Sequence, residues 1–414
     1  MSQTRLKRKL VTAILSLLLV LTLALPGSFA LAEGEKVDIY VWHYHTAKAE
    51  ENLTNIVNEY NAKPDGKANV ILQTLSRDDL KTRLILGIAS GELPEIAVVD
   101  NPDTAAFAST GMFMDITDKV STLPNPNFLE GPFKSGQYDG KQYALPIRSN
   151  CLALWVNNSM FEAAGIDKIP ETWDELLTVS GKLKESKPSV YPIAFSAPKN
   201  EQATFQFVPF LYSSGGSWEN MGSPESIKAL EFIRKLRDLE YCSADVINWS
   251  QNDVQKQFAS QNAAMMIGGS WNIANMANDA PDLEYTIINI PKDIEYASCL
   301  GGENMAITIK GEEKFDAVWD FFSWFLSAEN SIKYNKSDST FSPNADVTKE
   351  DMYPDNPVMM AFMEQLSYGV ARGPHPKWGE VSSAIQEAIQ STLAGLKDPA
   401  TAGKDAGALI ENIK

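Results

Sequence analysis

Histidine and cysteine are scarce in this chain, three of each among 414 residues. Cys151, Cys242 and Cys299 are too few and too scattered for a disulfide framework, and no C-x-x-C pair exists. An odd count leaves at least one free thiol if all bonding is internal. One disulfide is allowed, but each cysteine stands beside apolar residues, as in Cys151-Leu152-Ala153-Leu154, and reads as a small buried hydrophobe. The histidines are His43, His45 and His375. A Ser-His-Asp site needs one of them, and none lies in a nucleophile context. G-x-S-x-G, H-E-x-x-H and G-x-x-x-x-G-K-[ST] motifs are absent as well. His43 and His45, two apart, share a face of extended chain, but no third or fourth ligand accompanies them, so neither metal nor cofactor is expected. No catalytic residue is expected either. A glycosidase needs only two carboxylates; with 53 acidic residues such a pair is unavoidable and therefore uninformative, and a secreted glycoside hydrolase stays as the rival class.

Positive charge is also short: 36 basic against 53 acidic residues give a net charge of −17, the opposite of a nucleic-acid binder. After residue 32 no run approaches the ~18 apolar residues of a membrane span. Repeats, low-complexity tracts and Pro/Ser/Gly linkers are missing between residues 37 and 414. What is present is ample apolar material, 44% hydrophobic residues and nine Trp, enough for two or three cores at roughly 150 residues per domain.

The N-terminus carries an export signal. Arg5, Lys7, Arg8 and Lys9 precede an apolar run from Leu10 to Leu25, Pro26-Gly27 break it, and Ala30-Leu31-Ala32 places small residues before Glu33. Cleavage is expected after Ala32, which takes the net charge from −17 to −21. Without a cysteine after the cleavage site there is no thiol for a lipid, so a free periplasmic or extracellular protein is expected.

Period-two and helical patterns then alternate. Strands are read at 37–42, 68–75 and 95–99 and helices at 47–61 and 77–89, a βαβ lobe. The last strand, Glu95-Ile96-Ala97-Val98-Val99, is apolar enough to be covered on both faces. A second α/β region begins near 150: strand 151–156, helix 173–184 with Thr172 as N-cap and Glu175 completing a capping box, strand 191–195, helices 202–213, 224–240 and 251–260, and strand 263–267. Residues 298–309 read as a strand interrupted by Gly301-Gly302, followed by helices 312–326, 328–335, 357–367, 377–394 and 399–413. Two lobes without a linker imply more than one crossing between them.

Three strand ends carry aromatic and amide residues: Trp42-His43-Tyr44-His45-Thr46, Asp100-Asn101-Pro102-Asp103 and Gly268-Gly269-Ser270-Trp271-Asn272. Open α/β sheets bind ligands beyond the carboxyl ends of their strands. Flat aromatic faces with amide and carboxylate groups suit a sugar, whose C–H faces are apolar and whose hydroxyls need partners once desolvated.

Residues 92–117, Tyr138 to Pro146, Trp155-Val156-Asn157-Asn158 to Gly165, Pro170 to Glu175, Ala263 to Met266 with Gly269-Ser270-Trp271, Gly301-Gly302-Glu303-Asn304 and the helix from Ala317 to Ala328 stand in an order that resembles family 1 of the extracellular solute-binding proteins of bacterial ABC sugar importers, the group that includes maltose-binding protein. The resemblance implies an α/β, two-lobed, type II periplasmic-binding-protein-like fold, with a carbohydrate in a hinged cleft, delivery to ABC permease subunits, and action as a monomer. The boundaries it implies are 33–148 plus 297–345 for the N-terminal lobe and 149–296 plus 346–414 for the C-terminal lobe, with crossings near 147–149, 295–299 and 342–346. By the same resemblance Trp271 stacks on sugar, and Trp378 stands on the opposite wall of the second lobe. Asp100, Asn101 and Asp103 supply first-lobe polar contacts, Asp103 alternatively capping the next helix. His43, Tyr44 and His45 occupy a contact loop, Glu303 and Asn304 face the cleft or form a turn at the hinge, and Phe205 or Trp218 lines the wall. Arg148 and Arg372 are the only cationic candidates; if both face the cleft, an acidic or phosphorylated solute such as a glycerol phosphate becomes an alternative to sugar.

Overall fold

The computed structural model describes residues 36–413; the expected signal and its cleavage site lie outside the described residues. The chain opens with β1 (Val37–His43), α1 (Ala47–Asn61), β2 (Ala68–Thr74), α2 (Arg77–Ser90) and β3 (Ile96–Asp100). It continues through β4 (Ala144–Asn157), α3 (Trp173–Ser186), β5 (Tyr191–Ala194), α4 (Glu201–Ser213), α5 (Pro224–Asp238), α6 (Gln251–Ala259), β6 (Ala263–Gly269), α7 (Asn272–Asp279), β7 (Tyr285–Ile288) and β8 (Ser298–Ile307). The C-terminal third supplies α8 (Phe315–Phe325), α9 (Ala328–Ser337), α10 (Pro357–Leu366), β9 (Gly369–Ala371), α11 (Trp378–Leu393) and α12 (Pro399–Glu411).

One nine-stranded sheet runs β2-β1-β3-β8-β4-β6-β5, with β9 beside β8 and β7 beside β4. β1 is parallel to β2 and β3, whereas β8 is antiparallel to both β3 and β4. Alternation of side chains separates the layers on either face. In β3, Ile96 and Val98 join one cluster with Ile39 and Val41, while Ala97 and Val99 join another with Leu84 and Phe107. In β4, Leu152, Leu154 and Val156 face one second-lobe cluster and Cys151, Ala153 and Trp155 the other. Along the chain, residues pass from a first-lobe to a second-lobe core between Ile147 and Cys151, back between Cys299 and Met305, and over again between Tyr334 and Phe341. The three passages are stitched together. Gly301 pairs with Asn150 and Gly302 with Ser149, and Ser149 exchanges two backbone hydrogen bonds of 2.8 Å with Phe341.

Several expectations are corrected here. The strand read at 151–156 is the end of a fourteen-residue strand; Pro146 and the polar run Arg148-Ser149-Asn150 hid its first half. Gly301-Gly302 do not interrupt β8. They permit close approach, because a Cβ on Gly302, which has φ +138°, would meet the Arg148 carbonyl oxygen at 2.2 Å, and one on Gly301 would meet Asn150 Oδ1 at 2.2 Å. Glu303 and Asn304 therefore lie in a strand and not a turn, with a register shift between them. Thr172 caps α3 by accepting the Glu175 amide, but the Glu175 carboxylate turns to the Glu171 amide at 2.8 Å, so the capping box is only half made. The helix read from 312 starts as a 3₁₀ turn, Ile309–Lys314.

All three cysteines are buried and free. Cys151 lies opposite Leu300 in the ladder, which turns Cys299 to the other face of the sheet and forbids a bridge between these neighbours. Burial raises all three thiols, Cys242 to about 12. A reductant is expected to leave the melting temperature unchanged; a fall on reduction, measured by calorimetry, would reveal a bridge.

Candidate functional site

A cavity of about 700 Å³ opens between the lobes. Tyr44, His45, Thr46, Ser76, Arg77 and Asp100 line it from the first lobe, and Glu201, Gln202, Phe205, Gln251, Gln255, Trp271 and Asn275 from the second. Arg148, Asn150, Gly301, Gly302, Glu303 and Asp338 come from the crossing segments. The strand ends explain the layout: β1 runs out into Tyr44–Thr46 before α1, β3 into the Asn101–Asp103 turn, and β6 into Trp271 at the head of α7.

Arg148 sits at the centre of the crossings and is 9% exposed. It faces Glu303 directly across the β4/β8 ladder. Its Nε donates to Glu303 Oε2, its Nη2 to Glu303 Oε1 at 2.8 Å, and its Nη1 to Asp338 just beyond α9. One guanidinium thus joins all three crossings. Tyr44 donates its hydroxyl to Glu303 Oε1 at 2.8 Å, and His45 Nδ1 lies 3.4 Å from Arg148 Nη2. A guanidinium only donates, so Nδ1 accepts, and the proton sits on Nε2, which faces Tyr334 Oη at 3.1 Å. Burial, reinforced by Arg148, holds His45 well below the ordinary imidazole value. His43 is lowered too, by burial.

Arg372 makes a second bridge. It follows β9 in the second lobe, is 4% exposed, and reaches the first lobe through Asp100 (3.0 and 3.2 Å) and Asn101 Oδ1 (3.2 Å). On its own lobe it pairs with Glu201 at 2.8 Å and stacks over the Phe205 ring at 4.6 Å. Arg77 also pairs with Asp100, at 2.6 Å, and lies 4.4 Å from the Tyr44 ring centroid. Burial pushes the Asp100 carboxyl up, but the two guanidiniums outweigh it and hold it below the usual carboxylate range. Asp103 has Lys81 at 2.8 Å and makes no capping hydrogen bond, and burial pushes it up to about 6.

Of the residues singled out from sequence, Tyr44, His45, Asp100, Arg148, Phe205, Trp271, Glu303 and Arg372 come together on this cavity. The other six lie elsewhere. Trp378, expected on the wall, is 1% exposed in the second-lobe core and donates Nε1 to Glu201 at 3.0 Å, backing a wall residue from behind. Trp218 packs edge-on against Trp378, with centroids 5.6 Å apart. Asn304 turns into the first lobe toward Thr104 and Ser135. His43 sits under the loop beside Thr74, Asn101 beneath Arg372, and Asp103 beside Lys81. The cation count was also too small, since Arg77, Lys48 and Lys256 line the cavity as well. Glu201, Asp338 and the amides of α6 and α7 carried no sequence signal beyond their polarity.

Phe205 and Trp271 present the aromatic surface, with centroids 6.1 Å apart and planes tilted by 38°. The Trp271 ring lies on the backbone of Gly269, where a Cβ would come within 2.0 Å of it. Two lobes closing such a cavity, joined by three stitched crossings, make a receptor that holds a solute between them. A match to the family model for bacterial extracellular solute-binding proteins covers residues 55–361, and the chain belongs to that family. It is 23% identical to the diacetylchitobiose-binding protein DasA of Streptomyces coelicolor, over 96% of each chain. Among solved structures, it resembles an ABC transporter solute-binding protein of Thermotoga lettingae bound with α-D-tagatose, with a TM-score of 0.82 at 26% identity over 91% of this chain and 100% of that one. The maltose-bound MalE3 of T. maritima has the same fold, at a TM-score of 0.82 and 20% identity over 91% and 100%.

A pH dependence follows from His45. The unfolded chain takes up a proton near 6.5 and the folded His45 does not, so stability present above 6.5 is lost as pH falls below it, by ~1 kcal/mol per pH unit for one such group. Asp103 acts with the opposite sign, since its raised folded pKa favours the folded state as pH falls below about 6. Urea unfolding of wild type and His45→Gln at pH 7, 6 and 5 isolates the imidazole, because Asp103 is common to both. The variant is expected to show the shallower acid loss, and equal slopes would mean that His45 is protonated in the folded state.

Proposed function

We propose that this protein captures a saccharide in the interlobe cavity and passes it, chemically unaltered, to the permease subunits of an ABC importer, acting as an exported monomer. The observation that carries this reading is the pairing of the Phe205 and Trp271 faces with a ring of amides and carboxylates on one cavity. Its volume lies within the range of small-ligand sites. The sugars named for the related receptors support the same reading. The lobe boundaries proposed are 33–148 plus 297–345 and 149–296 plus 346–414, with Cys299 and Phe341 packing across them in the second-lobe cores, and of the residues singled out from sequence the eight on the cavity are the proposed contacts.

A saccharide touching Tyr44 and His45 on one side and Trp271 on the other gains contacts only when the lobes meet around it, so its binding draws the hinge shut. The radius of gyration in small-angle scattering is expected to fall on saturation with a sugar that binds. No change from an open starting form would sink the hinge mechanism.

A thermal-shift screen against mono- and oligosaccharides tests the assignment, since a ligand at 100 times its Kd adds about 2.7 kcal/mol of stability. Chromatography of the same wells is expected to show the sugar intact, and hydrolysis would move the protein to the glycosidases. For a sugar found this way, Trp271→Ala is expected to weaken binding roughly thirty-fold. The basis is ~80 Å² of shielded apolar surface at ~25 cal/mol/Å², about 2 kcal/mol. Unchanged affinity by titration calorimetry would take Trp271 out of the site.

A further inference from the structure

The cavity looks at first like a place for an anion: five cationic side chains line it, and five helices begin at its rim. All but one of those features are already spent within the protein. Arg148 is held by Glu303 and Asp338, Arg372 by Asp100 and Glu201, and Arg77 by Asp100. The two lysines have carboxylates nearby on their own helices, Lys48 with Glu51 at 3.0 Å and Lys256 with Asp253 at 3.8 Å.

Four of the helix starts are answered in the same way. α2 is capped by Ser76 and carries Asp78 and Asp79 in its first turn, α4 is capped by Asn200 and carries Glu201, and α6 has a complete Ser250/Asp253 capping box. α1 lacks a side-chain cap, but Glu50 stands in its first turn; α7, headed by Trp271, has neither a cap nor an acid in its first turn and is the one start left open. Asp279 adds a further carboxylate to the lining, where it accepts from Gln255. An arriving phosphate or carboxylate would have to displace a protein carboxylate from a buried guanidinium, leaving one anion without a partner in a poorly hydrated place. Neutral hydroxyls face no such cost, because each can donate to a carboxylate lone pair or accept from an amide.

We infer that the cleft selects uncharged saccharides and excludes phosphorylated and uronic-acid forms, with Arg148 and Arg372 serving as struts between segments and not as anion receptors. This rests on the reading of the cavity as a sugar site, and it removes the alternative of a glycerol phosphate. The discrimination expected, for an anion that must displace a protein carboxylate from a buried guanidinium, is ~100-fold or more.

Titration calorimetry on the intact protein tests it with inorganic phosphate, glycerol 3-phosphate, and the matched pairs glucose and glucose 6-phosphate, galactose and galacturonate, together with any neutral oligosaccharide that shifts the melting temperature. Wild type is expected to bind none of the anions measurably. Asp100→Asn takes a carboxylate from both Arg372 and Arg77, Glu201→Gln takes one from Arg372 alone, and at least one of the two is expected to gain phosphate binding by tenfold or more. Binding of phosphate or a sugar phosphate by wild type, as tight as that of the neutral partner, overturns the inference. So does a failure of both folded variants, checked by circular dichroism, to gain any anion affinity. If wild type binds neither sugars nor anions while a variant gains phosphate, exclusion stands and the sugar assignment alone falls.

Discussion

The structure turns on the guanidinium of Arg148. Three separate passages of chain cross between the lobes, and this one side chain, through Glu303 and Asp338, ties all of them together beside the backbone pairing of Ser149. Burial makes the arrangement all-or-none. With both carboxylates present the charges are compensated, while loss of one partner of a buried pair costs about 3–5 kcal/mol because the other is stranded. Tyr44 and His45 come in on top, so the first-lobe loop and the hinge are one hydrogen-bonded unit.

Arg372 repeats the device at the cleft edge, where β3 and β9 both dock on β8 and their ends approach each other across Gly301-Gly302. Asp100, at the end of β3, and Arg372, just past the end of β9, meet there. Trp378 and Ser382 of α11 hold Glu201 from behind, so the second-lobe core sets the position of the carboxylate that in turn sets Arg372. Both guanidiniums, of Arg148 and of Arg372, are thereby committed to holding separate segments of the chain together.

How much of this was legible depended on whether an element announces itself locally. β1 and β2 with α1 and α2 follow their hydrophobic periods almost to the residue, because each packs one face and exposes another, while β3, buried on both faces, shows as an unbroken apolar run. The first half of β4 did not, since its polar residues are buried against partners far away in sequence: Glu303 is 155 residues from Arg148 and Asp338 is 190. α7, with the sequence Asn272-Ile273-Ala274-Asn275-Met276-Ala277-Asn278-Asp279, lacks the propensity to be seen as a helix and is held by its contacts. On the cavity, Trp271 was legible only through the Gly269-Ser270-Trp271 order that resembles the family's; the bare Gly269 backbone under its ring showed itself in the structure. Trp378 was misplaced because an indole beside a Gly-Pro-His-Pro run looks the same whether it meets a solute or the back of Glu201. Arg77 and Asp338 were invisible for the reason that hid β4.

The position of β8 has a consequence for how the molecule is made. Its N-terminal half lies in the second-lobe part of the sheet, between β4 and β9, and its C-terminal half in the first-lobe part, between β3 and β4. Neither part is whole until residue 307 has left the ribosome, so most of the chain is synthesised before either lobe has this interior strand. Such long-range closure makes folding slow. A growing chain of this kind stays loose for longest during the interval in which an exported protein has to be threaded through a membrane.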